Sequence, residues 1–202
     1  MPVLHIGLPK TATTLLQARL FPGHSEIEYL GKFTERTRTF RDPSVASLIN
    51  ATVRNPFKAA DFEQLGTRMR ASLPSDRIAV WSSEDLTVGS RRRRRARAEN
   101  LHAALGSCRV VITLRHPLRL LESLYLQLLR GGVVGNRAKF GVQTQCPSVR
   151  QWLEQHDGLP ERGVLAHLDY AETIKIFERV FGPSSVGVFV FEDLVSDVDG
   201  FI

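Results

Sequence analysis

Val3-Leu4-His5-Ile6-Gly7-Leu8-Pro9-Lys10-Thr11-Ala12-Thr13-Thr14-Leu15 stands at the start of the chain. A short apolar strand runs into a glycine, then a tight polar loop, then an apolar helical pattern. This is the outline of a strand–loop–helix anion cradle. Backbone N–H groups at a helix N-terminus point at the ligand, and the helix dipole favours negative charge there.

The rest of the chain alternates in the same way. Strands are expected near Tyr29-Leu30, over Ile78–Ser82, over Arg109–Leu114 and over Val186–Phe191. Between them, helices are expected over Thr13–Leu20, Ala59–Ser72, 91–105, Leu118–Arg130, Val149–Gln155 and Tyr170–Phe181. Ser148 suits an N-cap, and Gly182-Pro183 suits a helix stop. Gly131-Gly132-Val133-Val134-Gly135-Asn136 reads as a flexible loop. Strands alternating with helices predict parallel β/α units. The fold expected is a three-layer α/β/α domain spanning residues 1–202, with a central, mainly parallel sheet and a phosphate-binding strand–loop–helix like that of the P-loop nucleoside triphosphatases.

Composition bounds the function. The 202 residues are 43% hydrophobic and 24% charged, which is ordinary for a globular protein. A net charge of +6 favours anionic ligands. The excess is concentrated in Arg91–Arg95 and Arg97. The plain reading of that run is a solvated loop-to-helix face. An anionic acceptor or partner, or nucleic acid, is the alternative; no aromatic residues interleave to stack on bases, which disfavours nucleic acid. Two cysteines without a C-x-x-C spacing imply neither zinc nor a redox motif. No apolar stretch reaches the length of a membrane span. The chain opens directly on its first strand, so a cytoplasmic protein is expected.

The first loop departs from the triphosphatase pattern G-x-x-x-x-G-K-[ST]. Counted from Gly7, Ala12 takes the place of the second glycine and Thr13 that of the lysine, while Lys10 stands three residues earlier. Thr14 keeps the Ser/Thr place, but the lysine that handles the γ-phosphate is displaced. Leu8-Pro9-Lys10-Thr11-Ala12-Thr13-Thr14-Leu15 instead resembles the 5′-phosphosulfate loop, P-K-[ST]-G-T-T-x-L, of sulfotransferases that use 3′-phosphoadenosine 5′-phosphosulfate. Ala12 replaces the usual glycine, which suits a backbone with negative φ at that position. Val110-Val111-Ile112-Thr113-Leu114-Arg115-His116-Pro117, followed by Ser123 eight residues after the arginine, resembles the family's 3′-phosphate motif. Arg115 ends a buried strand, the edge at which open α/β sheets bind ligands, and a guanidinium with a hydroxyl suits phosphate. Val188–Leu194 and Ala79–Leu86 are weaker matches; the acid after the late strand is expected to cap or order a loop.

The resemblance implies transfer of a sulfuryl group from that cosubstrate to a hydroxyl or amine, leaving adenosine 3′,5′-bisphosphate and requiring no metal. It implies that Lys10 stabilises the leaving bridge oxygen. Pro9, Lys10, Thr11, Ala12, Thr13 and Thr14 would form the 5′ cradle, and Arg115 with Ser123 would hold the 3′-phosphate. The general base is expected at Glu84, with Glu35 as the second choice. His5 is expected to be a satisfied strand residue, and His116 a spacer. The acceptor stays open among carbohydrate, lipid, peptide tyrosine, small phenol or another anionic molecule, and residues 31–60 and 131–165 are expected to shape its pocket. Family members continue with more helix and a basic loop, so a chain ending at Phe201-Ile202 reads as truncated at its C-terminus. Alternatives from other classes are a kinase-like phosphotransferase and a non-catalytic relative that binds polyanions through its arginines.

Overall fold

The structure is a computed structural model that describes residues 1–31, 48, 50–58, 61–71, 76–134, 147–157 and 164–196. The first strand, β1 (Val3–His5), leads into α1 (Thr13–Leu15), a π-helical turn over Leu16–Leu20 and α2 (Phe21–Gly23). Next come β2 (Ile27–Tyr29), a π-helical turn over Asn50–Arg54, α3 (Phe62–Ala71) and β3 (Ile78–Ser82). A 3₁₀ turn at Glu84–Leu86 precedes α4 (Arg91–Leu105), β4 (Arg109–Leu114) and α5 (Pro117–Val134). The remaining described elements are α6 (Val149–Asp157), a 3₁₀ turn at Val164–Leu168, α7 (Tyr170–Phe181), β5 (Val186–Val190) and α8 (Phe191–Ser196).

All five strands among the described residues pair in parallel, in the order β2-β3-β1-β4-β5. The expected α/β architecture is therefore the one observed. One face of the sheet buries a row of apolar side chains: Leu4, Ile6, Trp81, Val110 and Ile112 are all at most 2% exposed. They meet Ala98 and Leu101 of α4 and Phe177 of α7, also fully buried. From β1 the chain moves outward on one side to β2 and returns to β3. From β4 it moves outward on the other side to β5. The order thus reverses between β1 and β4, and a crevice opens at their carboxyl ends.

Two expectations change. Gly131–Val134 continue α5 and are not loop; each added residue closes one more helical hydrogen bond, which offsets the low propensity of glycine. The arginine run is not uniformly solvated. Arg94 and Arg97 are 3% and 4% exposed. Arg97 Nη2 donates to the Val53 carbonyl at 3.0 Å, while Nη1 donates to the carbonyls of Asp85 and Val88. Arg94 Nη1 donates to Thr173 Oγ1 at 2.9 Å, and Nη2 lies 3.6 Å from Asp169. Burial lowers the pKa of both guanidinium groups, Arg97 to about 10. On the outer face, Arg91 pairs with Glu172, Arg95 pairs with Glu99, and Arg92 covers the Phe57 ring at 4.8 Å. Cations crowd the positive end of the α4 dipole, and these carbonyls and carboxylates offset that cost. The run is thus largely a clamp that fastens α4 to the segment carrying Glu84 and to α7.

Helix α3 lies close against α4 at Gly66, where an added Cβ would stand 1.8 Å from the Ala104 carbonyl oxygen. The obstacle is backbone, so it cannot rotate away. Gly66→Ala is expected to destabilise the chain by about 1–3 kcal/mol in urea unfolding; wild-type stability would show that the two helices can separate freely.

Candidate functional site

The crevice between β1 and β4 holds a cavity of about 1190 Å³, lined by Pro9, Lys10, Ala12, Thr13 and Thr14 of the first loop and by Glu84, Arg115 and Ser123. Leu15, Leu16, Ala18, Arg19 and Leu20 also line it, as do Phe191, Leu194 and Val195. Residues from five separate segments of the sequence therefore share one space. Its size exceeds the ordinary range of about 300–1,000 Å³ for single small-molecule sites. Glu35 lies outside the described residues.

Register explains the convergence. Beyond the paired strands, Ile6 N–H donates to the Val111 carbonyl at 2.9 Å and Leu8 N–H to the Thr113 carbonyl at 3.1 Å. The β1–β4 ladder thus carries the chain to the mouth of the loop. Gly7 is required by close approach: a Cβ there would stand 2.9 Å from the His5 ring and 3.0 Å from Thr11 Oγ1. The loop then folds on its own hydroxyls. Thr11 is fully buried and donates to the Leu8 carbonyl at 2.6 Å; Thr13 reaches the same carbonyl at 3.4 Å. Thr11 is absent from the cavity lining, so its side chain shapes the cradle from inside.

Ala12 overturns one expectation. Its φ is +59°, and Lys10 has φ +68°. Both are in the left-handed region, where a Cβ crowds the following carbonyl. The loop needs this backbone to turn from β1 into α1, so position 12 carries the glycine conformation without the glycine.

Arg115 Nη1 donates to the Lys10 carbonyl at 2.8 Å. Its guanidinium lies over the Phe191 ring at 4.6 Å. Its Nε–H is buried and has no acceptor among the described residues, and an arriving phosphate oxygen is the kind of partner such a donor takes. The acid of the late strand behaves as expected: Glu192 Oε1 accepts from His116 N–H at 3.0 Å, ordering the entry to α5. His116 itself is exposed, a spacer in the turn.

Beneath the loop lies a polar chain in which His5 is the one member expected from its sequence. His5 is 1% exposed, and its Nδ1 and Nε2 lie 2.8 Å from Ser82 Oγ and 2.9 Å from Thr113 Oγ1. Burial pushes its imidazole down to about 4, against a smaller opposing pull from Glu84. Gln17 is the residue not anticipated. Its Nε2 donates to Ser82 Oγ at 2.9 Å and to Glu84 Oε2 at 3.2 Å. It tethers the Glu84 carboxylate at the cavity wall. A polar residue inside the apolar Leu15–Leu20 pattern was the available signal.

Among the described residues, no group of three or more His, Cys, Asp or Glu side chains is placed to hold a metal, and no helix is long and apolar enough to cross a membrane. The fold is similar to that of the crystal structure of a sulfotransferase from Alicyclobacillus acidocaldarius. The TM-score is 0.62, with 19% identity over 98% of this chain and 76% of that one. At that identity the likeness is one of fold. No family model and no curated protein matches the sequence.

Two outcomes follow from this geometry. Ala12→Gly relieves the left-handed alanine and is expected to stabilise the chain by about 1 kcal/mol in urea unfolding; a loss of stability would contradict the strain. Native His5 stays neutral down to about pH 4, whereas the unfolded chain protonates near 6.5. Its contribution to stability is full above pH 6.5 and falls by about 3 kcal/mol as the pH drops toward 4. In His5→Asn, unfolding free energies across that window should lose about one proton of pH dependence. An unchanged slope would assign the effect to another group.

Proposed function

We propose that the chain is a sulfotransferase that moves a sulfuryl group from 3′-phosphoadenosine 5′-phosphosulfate to a hydroxyl or amine. The observation that carries this reading is the meeting of Lys10, Glu84, Arg115 and Ser123 around one cavity at the β1/β4 crevice. The fold likeness to a sulfotransferase supports the same class. The residues fit the cosubstrate. The first loop offers backbone N–H groups and Lys10 to a 5′-phosphosulfate. Arg115 and Ser123 offer a guanidinium and a hydroxyl to a 3′-phosphate, the group that separates this nucleotide from ADP.

When bound, the cosubstrate supplies a sulfuryl group whose S–O bond to the bridging phosphate oxygen breaks as the acceptor O or N bonds to sulfur. The electron pair of that bond stays on the bridging oxygen. Lys10 neutralises the charge that grows there, so its contribution is electrostatic. Glu84 accepts the proton that the acceptor loses. Gln17 holds that carboxylate in place. Pro9, Thr13 and Thr14 line the 5′ end of the cavity beside Ala12, and Thr11 stiffens the loop from within. The proposed acceptor is an uncharged or anionic hydroxyl or amine compound that enters beside Glu84.

Titration calorimetry tests this. Adenosine 3′,5′-bisphosphate should bind at least about tenfold more tightly than ADP without added Mg²⁺, as expected for one more charge-assisted phosphate contact. Arg115→Ala should erase that preference. Equal affinity of the wild-type chain for the two nucleotides would refute the assignment of Arg115 and Ser123.

A further inference from the structure

We infer that Arg115 is also a positioning residue for the 5′-phosphate loop, so that the two phosphate subsites are coupled through the Lys10 carbonyl. This rests on the proposed nucleotide site and adds a second role to one of its residues. The loop and the arginine are 105 residues apart in sequence and joined by the 2.8 Å bond from Nη1 to Lys10 O. Lys10 is one of two left-handed non-glycine residues among the described residues, at φ +68°. Such a conformation persists only when surrounding contacts over-determine it, and the bond from Arg115 fixes the carbonyl of that very residue.

The arginine is itself held at several points. Tyr170 OH donates to the Arg115 carbonyl at 2.7 Å. Burial, with the charge of Glu192 adding and that of Arg115 opposing, pushes the Tyr170 phenol up to about 12, so it keeps the proton it donates. Phe191 covers the guanidinium face, and Glu192 takes the next backbone N–H. Helices α7 and α8 therefore fix the turn after β4, and that turn fixes the loop after β1. A ligand on the guanidinium meets a group already tied to the other subsite. Arg115 thus helps bind nucleotides that have no 3′-phosphate at all.

The test uses the full chain and two readouts. Hydrogen exchange of the amides of residues 10–14, measured without nucleotide, should quicken about tenfold in Arg115→Ala. Affinity for adenosine 5′-monophosphate, which lacks a 3′-phosphate, should fall roughly tenfold in the same variant. Unchanged loop exchange, or unchanged affinity for the monophosphate beside a loss for the bisphosphate, would overturn the inference and leave Arg115 as a 3′-phosphate contact alone. Should Arg115→Ala not fold, Tyr170→Phe gives the same decision: faster exchange at residues 10–14 supports the linkage, and wild-type exchange refutes it. Failure of the wild-type chain to prefer the bisphosphate over ADP would sink the functional reading, whereas the exchange measurement would still decide this one.

Discussion

The parallel pairing of β1 with β4 is the constraint on which the rest of the site depends. Two hydrogen bonds, from Ile6 and Leu8 to the Val111 and Thr113 carbonyls, continue the ladder past the strands and into the loop. They bring the backbone of residues 8–14 beside the end of β4. The reversal of strand order at this pair leaves the crevice open. Lys10, Glu84, Arg115 and Ser123 then line one cavity. Lys10 and Arg115 meet across the pair, Ser123 follows on α5, and Glu84 arrives from β3 on the other side of β1.

The same edge is stabilised from below by buried polar groups. His5 joins β1 to β3 through Ser82 and to β4 through Thr113. Gln17 extends the chain to Glu84. Buried polar groups cost free energy unless they are paired, and here both ring nitrogens of His5 are paired. The network specifies register as well as stability, because a slip of one residue would turn His5 to the other face of the sheet. Arg97 performs a related service from α4 by holding the carbonyl of Asp85, inside the turn carrying Glu84, and that of Val88 just after it.

Much of this was legible in the sequence. The strands Ile78–Ser82 and Arg109–Leu114 and the helices 91–105 and Tyr170–Phe181 were readable because apolar periodicity and turn residues agree there. The loop and the arginine with its following serine were readable because short motifs fix residue types at set spacings. What escaped was long-range. Gln17 has partners 65 and 67 residues away. The left-handed turn at Ala12 is set by how the loop must leave β1, which residue type alone does not reveal. The split of the arginine run into buried and exposed members follows from which face of α4 meets the carbonyls of other segments. Low propensity at Gly131-Gly132 suggested a break that the helix does not make.

The most direct measurement is a crystal structure of the chain with adenosine 3′,5′-bisphosphate. The 5′-phosphate is expected against the backbone amides of residues 10–14 and Lys10 Nζ. The 3′-phosphate is expected within hydrogen-bond distance of Arg115 and Ser123, with the Arg115–Lys10 bond intact. A nucleotide bound elsewhere, or reversed so that its 3′-phosphate lies away from Arg115 and Ser123, would contradict that placement.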